Sequence, residues 1–200
     1  VQQRLRNASI HAFEPAPRTF EILRTNVGLY GPDVRLHNCD VADKDTEAIF
    51  TFYPRSTVFS TFHANADDDT QAIRAVVLNS LEKASAETGA SVEAFADEFL
   101  SSRLEKQEVV TRIRTISSVV KENDIDRIDL LKVDAEKSEL AVLRGIDGHV
   151  WRIIRQIVIE VHDQEGPVLA EVLGLLREHG FEATVEEEDA LRGSGLYNVY

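Results

Sequence analysis

Methionine is missing from the whole sequence, even from its first position, and cysteine occurs once, as Cys39, among 200 residues. A lone thiol excludes an internal disulfide, so the composition indicates the reducing environment of the cytoplasm. The chain also lacks a signal peptide and any run of about 18 apolar residues, which argues against secretion and against a membrane partner. Because no Met opens the sequence, we expect the chain to be a piece of a longer polypeptide.

Basic side chains are few as well. Only 22 Lys and Arg stand against 35 Asp and Glu, which gives a net charge of −13. A phosphate backbone would repel such a surface, so no nucleic-acid partner is expected. The hydrophobic content of 43% and the charged content of 28% are ordinary for a globular protein. A chain of this length suits one domain with a substantial core, and we predict a single domain over residues 1–200.

The most informative stretch begins as a short apolar run, residues 128–133, and ends in Asp134. This pattern is typical of a buried parallel strand that delivers a carboxylate to the edge of its sheet. A helix is predicted directly afterwards, with Ser138 at its N-cap position. Its inward face is expected to carry three apolar residues: Leu140, Val142 and Leu143.

A second apolar run that ends in polar residues follows. Residues 153–161 are mostly apolar and lead into His162 and Asp163. Two such strands, if adjacent and parallel, would bring their polar ends to one edge of the sheet, where ligands bind in open α/β folds. The side chains expected at that edge are Asp134, Glu136, Glu160, His162 and Asp163.

Near the N-terminus, strand patterns at residues 9–13 and 34–39 flank a helical pattern that begins near Arg18, which predicts a parallel strand–helix–strand unit. Each strand leads into an acid, Glu14 or Asp40. A carboxylate at such a strand end can accept hydrogen bonds from both hydroxyls of a ribose. A second carboxylate can accept a hydrogen bond from an adenine amino group. Strands also end in acids because the chain returns to water there, so the alternative that Glu14 and Asp40 bind no ligand stays open.

Two further segments complete the predicted architecture. Residues 55–106 are largely helical in pattern and are expected to be an insertion that covers the site, with plain packing as the alternative. His63 lies at the edge of this insertion and is expected to reach over the substrate. Late strand patterns at residues 181–185 and 195–200 predict a C-terminal antiparallel hairpin.

Three ordered motifs resemble the FkbM family of S-adenosylmethionine-dependent O-methyltransferases: residues 11–17 (HAFEPAP), 36–44 (LHNCDVADK) and 128–136 (IDLLKVDAE). Residues 136–140, 155–163 and 196–200 resemble most the versions embedded in modular polyketide and nonribosomal peptide synthases. The resemblance implies a Rossmann-like class I methyltransferase fold of the α/β class, with a mostly parallel sheet. It also implies a role in natural product biosynthesis, with S-adenosyl-L-methionine as the cofactor.

The same resemblance implies where the cofactor is held. Glu14 would bind its ribose and Asp40 would lie near its adenine, with Pro15, Val41 and Asp134 as further cofactor-binding residues. The partner would be an acyl or peptidyl carrier protein that delivers a hydroxyl-bearing acceptor. In the family, a first strand and a glycine-rich turn come before the position of Ser9. Since this chain has neither, we expect it to lack the first strand of the sheet and, by itself, to bind the cofactor weakly.

Methyl transfer to an alcohol requires a group that takes the hydroxyl proton, and histidine is suited to this at neutral pH. Of the six histidines, His162 is our candidate base because it follows a strand beside the acid cluster. Glu136 is the first choice, and Asp134 the second, for a carboxylate that fixes the imidazole tautomer.

Three alternatives remain at this point. The acids around His162 could hold a divalent ion that polarises the hydroxyl, although their spacing does not demand one and no metal is predicted. The chain could be a free-standing enzyme that methylates a sugar or another small hydroxyl compound. It could also be an inactive methyltransferase-like domain kept for structure or docking.

Overall fold

The computed structural model describes residues 8–30, 33–52, 107–135, 137–163, 166–187 and 195–200. The predicted insertion at 55–106, including His63, therefore lies outside the described residues. The chain divides into two compact units: Val1–Asn38 with Ala48–Thr111, and Cys39–Glu47 with Arg112–Tyr200. The single domain predicted over residues 1–200 stays a prediction.

The first unit contains the predicted strand–helix–strand unit. Strand β1 (Ile10–Phe13) leads into helix α1 (Pro17–Tyr30), which returns to strand β2 (Val34–His37). The two strands are parallel, with Ile10 opposite Val34 and Phe13 opposite His37. Pro17 opens the helix, where a missing N–H leaves no hydrogen bond unmade.

Three further strands form a second sheet in the order β3-β5-β4: β3 (Asp40–Val41), β4 (Thr46–Phe52) and β5 (Gln107–Arg114). Strand β3 pairs in parallel with the end of β5, with Asp40 opposite Ile113 and Val41 opposite Arg114. The strand predicted over residues 34–39 therefore ends early, at His37. Asp40 begins a separate short strand that has a different neighbour.

The second unit contains a four-stranded sheet in the order β6-β7-β9-β8: β6 (Leu131–Val133), β7 (Ile157–His162), β8 (Val185–Glu186) and β9 (Leu196–Val199). Strands β6 and β7 are parallel, whereas β9 runs antiparallel to both β7 and β8. The described sheets are thus mixed, within a mixed α/β architecture. The late strand predicted at residues 181–185 is shorter than expected and comprises Val185–Glu186 only.

Four helices accompany this sheet in the described residues: α2 (Ile116–Glu122), α3 (Glu139–Arg144), α4 (Gly148–Trp151) and α5 (Pro167–Glu178). Helices α3 and α5 pack against each other and against β7. Helix α5 is followed by Gly180 at φ +85°, a left-handed position that glycine adopts without strain. Within the described ranges, no helix is both long and apolar enough to span a bilayer.

The core of the second unit lies on one face of β7. Ile157, Ile159 and Val161 are buried, while the alternate residues Val158, Glu160 and His162 are half-buried. Successive side chains of a strand point to opposite faces, so one face joins the core and the other carries the polar groups. Other buried apolar side chains of this unit include Val142, Leu143, Val150, Trp151, Val172, Leu176 and Val199.

Asp45 connects the loop before β4 to the start of α2. Its Oδ1 accepts hydrogen bonds from the Thr115 N–H at 2.7 Å and from the Ser118 hydroxyl at 2.9 Å, and its Oδ2 lies 3.6 Å from Arg114 Nε. Desolvation is the largest single influence on the pKa of Asp45 and raises it, but these hydrogen bonds and the Arg114 charge outweigh it. The pKa is therefore lowered.

Replacing Asp45 by asparagine is expected to destabilise the protein by about 1 kcal/mol at pH 7, the usual net value of such hydrogen bonds at a half-exposed side chain. A carboxyl with a lowered folded-state pKa stabilises the fold above its unfolded pKa of about 3.9, and this contribution is lost as pH falls through the folded pKa. The difference in stability between wild type and Asp45→Asn should therefore narrow as pH falls below about 4. Urea unfolding over that range tests this, with the exposed Asp126→Asn as control; a difference that does not change with pH would contradict it.

Candidate active site

His162 is the last residue of β7 and lies on the half-buried face of that strand. Its backbone is held in the sheet by pairing with β9, where Leu196 is its partner. The side chain is 22% exposed, so the ring is anchored by packing but still reaches solvent. This is the strand end at which the sequence predicts the working imidazole.

The Nδ1 atom of His162 is 2.5 Å from Oε1 of Glu139, the first residue of α3. Glu139 is 1% exposed, and its Oε1 also accepts from the Lys137 N–H at 3.2 Å. On the other side of the ring, Nε2 lies 4.0 Å from Oε1 of Glu160, beyond hydrogen-bonding distance. The imidazole is therefore hydrogen-bonded through Nδ1 to a buried carboxylate.

Of the two carboxylates expected to fix the His162 tautomer, Asp134 has a lysine as its observed partner and Glu136 is not among the described residues. Asp134 follows β6 and pairs with the Lys132 ammonium, with its side chain 45% exposed. Glu136 is outside the described residues, and its role stays a prediction. Sequence reasoning missed Glu139, because it assigned Leu140 to the inward face of α3; the structure instead buries Glu139 with Val142 and Leu143.

Asp163 has a structural role. It is 5% exposed, and its carboxylate accepts from the Gly166 N–H at 2.7 Å and from the Leu169 N–H at 2.8 Å. These amides begin α5, whose first N–H groups have no partner within the helix. Among the residues that the structure describes, no three His, Cys, Asp or Glu side chains form a group that could hold a metal ion.

In the first unit, Glu14 directly follows β1. Its Oε1 accepts from the Ala16 N–H at 2.8 Å, and its own N–H donates to the His37 carbonyl at 3.1 Å. Asn38 Nδ2 donates to the Glu14 carbonyl at 2.9 Å, so both the backbone and the side chain of Glu14 are fixed in the turn before α1. Pro15 lies half-buried in the same turn. Glu14 thus has the location expected of a ribose-binding carboxylate, at the carboxyl end of a parallel strand.

Asp40 and Val41 belong to the second unit, where Asp40 is half-buried and Val41 is 7% exposed. The neighbouring Cys39 is also buried, and desolvation raises the pKa of its thiol to about 11. Since a thiolate is the reactive form, Cys39 is inert near neutral pH. Because Glu14 lies in the other unit, the binding of one cofactor by Glu14, Asp40 and Asp134 stays a prediction.

Two histidines of the first unit lie side by side: His11 Nδ1 is 3.0 Å from His37 Nε2. Desolvation, followed by the charge of Arg35, lowers the pKa of His11. Phe13 stacks on His37 with ring centroids 4.7 Å apart. These contacts fit the packed histidines that strand interiors often contain.

Residues 2–183 match the family described as the methyltransferase FkbM domain. The chain therefore belongs to the FkbM methyltransferase family, as the motifs predict. No solved structure matches it.

Three relatives show how widely this domain is used. The chain is 36% identical over 192 residues to the 31-O-demethyl-FK506 methyltransferase FkbM of Streptomyces tacrolimicus, covering 96% of this chain and 70% of that protein. It is 34% identical over 207 aligned positions to the AMB antimetabolite synthetase AmbE of Pseudomonas aeruginosa, covering 100% of this chain but 10% of the synthetase. Methyltransferase 1 of Beauveria bassiana is 31% identical over 192 residues, covering 94% of this chain and 69% of that protein.

Proposed function

We propose that this chain is the catalytic part of an S-adenosyl-L-methionine-dependent O-methyltransferase with a Rossmann-like class I fold. Its substrate is a hydroxyl group on a polyketide or peptide intermediate bound to an acyl or peptidyl carrier protein in the cytoplasm. The observation that carries the proposal is the imidazole of His162, held through Nδ1 at the carboxyl end of β7 in a member of the FkbM family. The similarity to AmbE, a synthetase, supports a carrier-bound substrate.

The residue types fit the cofactor. Glu14, fixed in the turn after β1, offers a carboxylate where ribose hydroxyls bind in α/β folds, with Pro15 beside it. Asp40 with Val41, and Asp134 after β6, are the further residues proposed to hold it. When bound, S-adenosyl-L-methionine would supply a methyl group on a positively charged sulfur. The sulfur is the leaving group and keeps the bonding electron pair.

The chain's own contribution is alignment and proton transfer. An alcohol is a weak nucleophile, so a base positioned within hydrogen-bonding distance assists by taking its proton as the new oxygen–carbon bond forms. We assign this role to His162, with His63 as a residue that contacts the acceptor. The proton moves from the acceptor oxygen to the ring and is later released to solvent.

A second candidate is a free-standing enzyme that methylates a small hydroxyl compound. The similarity over 70% of FkbM, whose name gives 31-O-demethyl-FK506 as the compound that it methylates, favours it. The two candidates differ only in how the acceptor is presented to the site.

Methyl transfer by the full-length protein decides between them. Labelled S-adenosyl-L-methionine is offered with carrier-bound hydroxyacyl substrates and, separately, with the same acyl groups as free small thioesters. Faster methylation of the carrier-bound form is expected, and a preference for the free form would establish the second candidate. If calorimetry detects no cofactor binding and neither acceptor is methylated, the domain is inert and the proposal fails.

A further inference from the structure

The contact between Glu139 and His162 joins the first turn of α3 to the end of β7, two elements that are separate in the chain. The Nδ1 and Oε1 atoms are 2.5 Å apart, and because the acceptor is a carboxylate, the hydrogen bond between them is charge-assisted. The carboxylate is 1% exposed, so its charge has little help from water. Burying a carboxylate is unfavourable unless it is paired and hydrogen-bonded, and here the imidazole and the Lys137 N–H supply the partners.

This hydrogen bond determines which nitrogen of the ring can act as a base. An ionised carboxylate only accepts hydrogen bonds, so Nδ1 must carry the proton. In the neutral imidazole the lone pair then lies on Nε2. Nε2 is at the opposite edge of the ring, and the side chain is 22% exposed, so an acceptor hydroxyl could approach it.

We propose that Glu139 is the positioning residue of this active site: its buried carboxylate holds the Nδ1–H of His162, so that Nε2 takes the acceptor proton. The inference rests on the proposed function, because it takes His162 as the base. It replaces Glu136 and Asp134, the acids that the sequence suggests, by one that the sequence analysis did not consider. When Nε2 takes the proton, Nδ1 keeps its own, and the Glu139 carboxylate stabilises the resulting imidazolium.

A second acid near the ring makes it possible to distinguish the hydrogen bond of Glu139 from the effect of its negative charge alone. Glu139 faces the ring from α3 and Glu160 faces it from the same strand, while β9 places the apolar Leu196 opposite. Both acids favour the imidazolium, but only Glu139 is within hydrogen-bonding distance of a ring nitrogen. Glu160→Gln therefore removes the same charge from nearby and leaves the Nδ1 hydrogen bond in place.

The kinetic test compares Glu139→Gln with Glu160→Gln in the full-length protein. Glutamine is close in size to glutamate and can still accept from Nδ1–H, so folding should be kept, and circular dichroism checks this. We expect Glu139→Gln to lower kcat by about 10²-fold with little change in KM, the pattern of a lost group that orients and stabilises a catalytic histidine. The acid limb of its pH–rate profile should also move to lower pH, and Glu160→Gln should change kcat less. Unchanged kcat and pH profile in Glu139→Gln would overturn the inference, as would a larger effect from Glu136→Gln.

A second measurement does not depend on activity. Nitrogen NMR of the wild-type protein with labelled histidine, assigned by the loss of signals in His162→Gln, reports which ring nitrogen is protonated. A proton on Nδ1 of the neutral ring supports the inference, and a proton on Nε2 overturns it. If the wild type forms no methylated product, the proposed function fails. The NMR measurement still decides which nitrogen of His162 carries the proton beside Glu139.

Discussion

His162→Ala is expected to lower kcat for methyl transfer by about 10²–10⁴-fold, the usual contribution of a positioned general base. The loss should appear in kcat, because the imidazole stabilises the transition state more than it stabilises the bound substrate in the ground state. Steady-state kinetics with labelled cofactor measure the change. Added imidazole should restore part of the activity of the alanine variant, since a small base can occupy the space that the side chain leaves.

Stability must be separated from catalysis in this variant. Removing the ring leaves the Glu139 carboxylate, which is 1% exposed, without its imidazole partner, and an unsatisfied buried group costs about 1–3 kcal/mol. His162→Gln keeps a hydrogen-bond donor for Glu139 but provides no base. It should therefore be more stable than His162→Ala and have an equally low kcat. The exposed His149→Ala, in α4, is the matched control and should leave kcat unchanged. Wild-type turnover in folded His162→Gln would show that His162 is not the base.

Local patterns predicted much of the second unit. The apolar spacing of residues 167–178, Pro167 at the start and Gly180 after the end are typical of a helix, and the structure has a helix over that range. The apolar run that leads into His162 became β7, which pairs in parallel with the strand before Asp134. These features depend on neighbouring residues, so one sequence is enough to find them.

Glu139 shows where the same reasoning fell short. Residues three and four positions apart share one face of a helix, and Glu139, Val142 and Leu143 form such a set, with exposures of 1%, 3% and 0%. The spacing is visible in the sequence, but acids are rarely buried without a partner, so spacing alone does not place Glu139 on the inward face, where Leu140 was predicted. The partner, His162, belongs to a different element, and only the fold brings it close.

The pairing of Asp40 could not be predicted from local pattern. Residues 34–39 alternate like one continuous strand, yet the strand stops at His37 and Asp40–Val41 pair with the end of β5. Strand pairing of this kind depends on contacts between distant parts of the chain, which a local pattern does not specify.

Gly145→Ala is expected to be strongly destabilising. Gly145 follows α3 with an ordinary φ of −79°, so it is not needed for its conformational freedom. A Cβ at this position would overlap the Ala42 carbonyl oxygen and would lie 3.0 Å from the carbonyl carbon and 3.1 Å from Asp43 Cα. All three are backbone atoms, and the Gly145 carbonyl is itself held by the Ser117 hydroxyl at 3.1 Å, so neither side can move away easily.

Overpacking of this kind costs about 1–3 kcal/mol or more, and we expect the upper end because a backbone segment must shift. In a protein of this size a loss of about 3 kcal/mol lowers Tm by roughly 6–12 °C. Gly174→Ala is the matched control: this helical glycine has open space where a Cβ would go, and alanine there should stabilise the protein by about 0.5–1 kcal/mol. Thermal and urea unfolding of both variants test the contrast. A Gly145→Ala protein as stable as wild type would mean that α3 does not approach the backbone at Ala42 this closely, and the location of Glu139 at the start of that helix would then need revision.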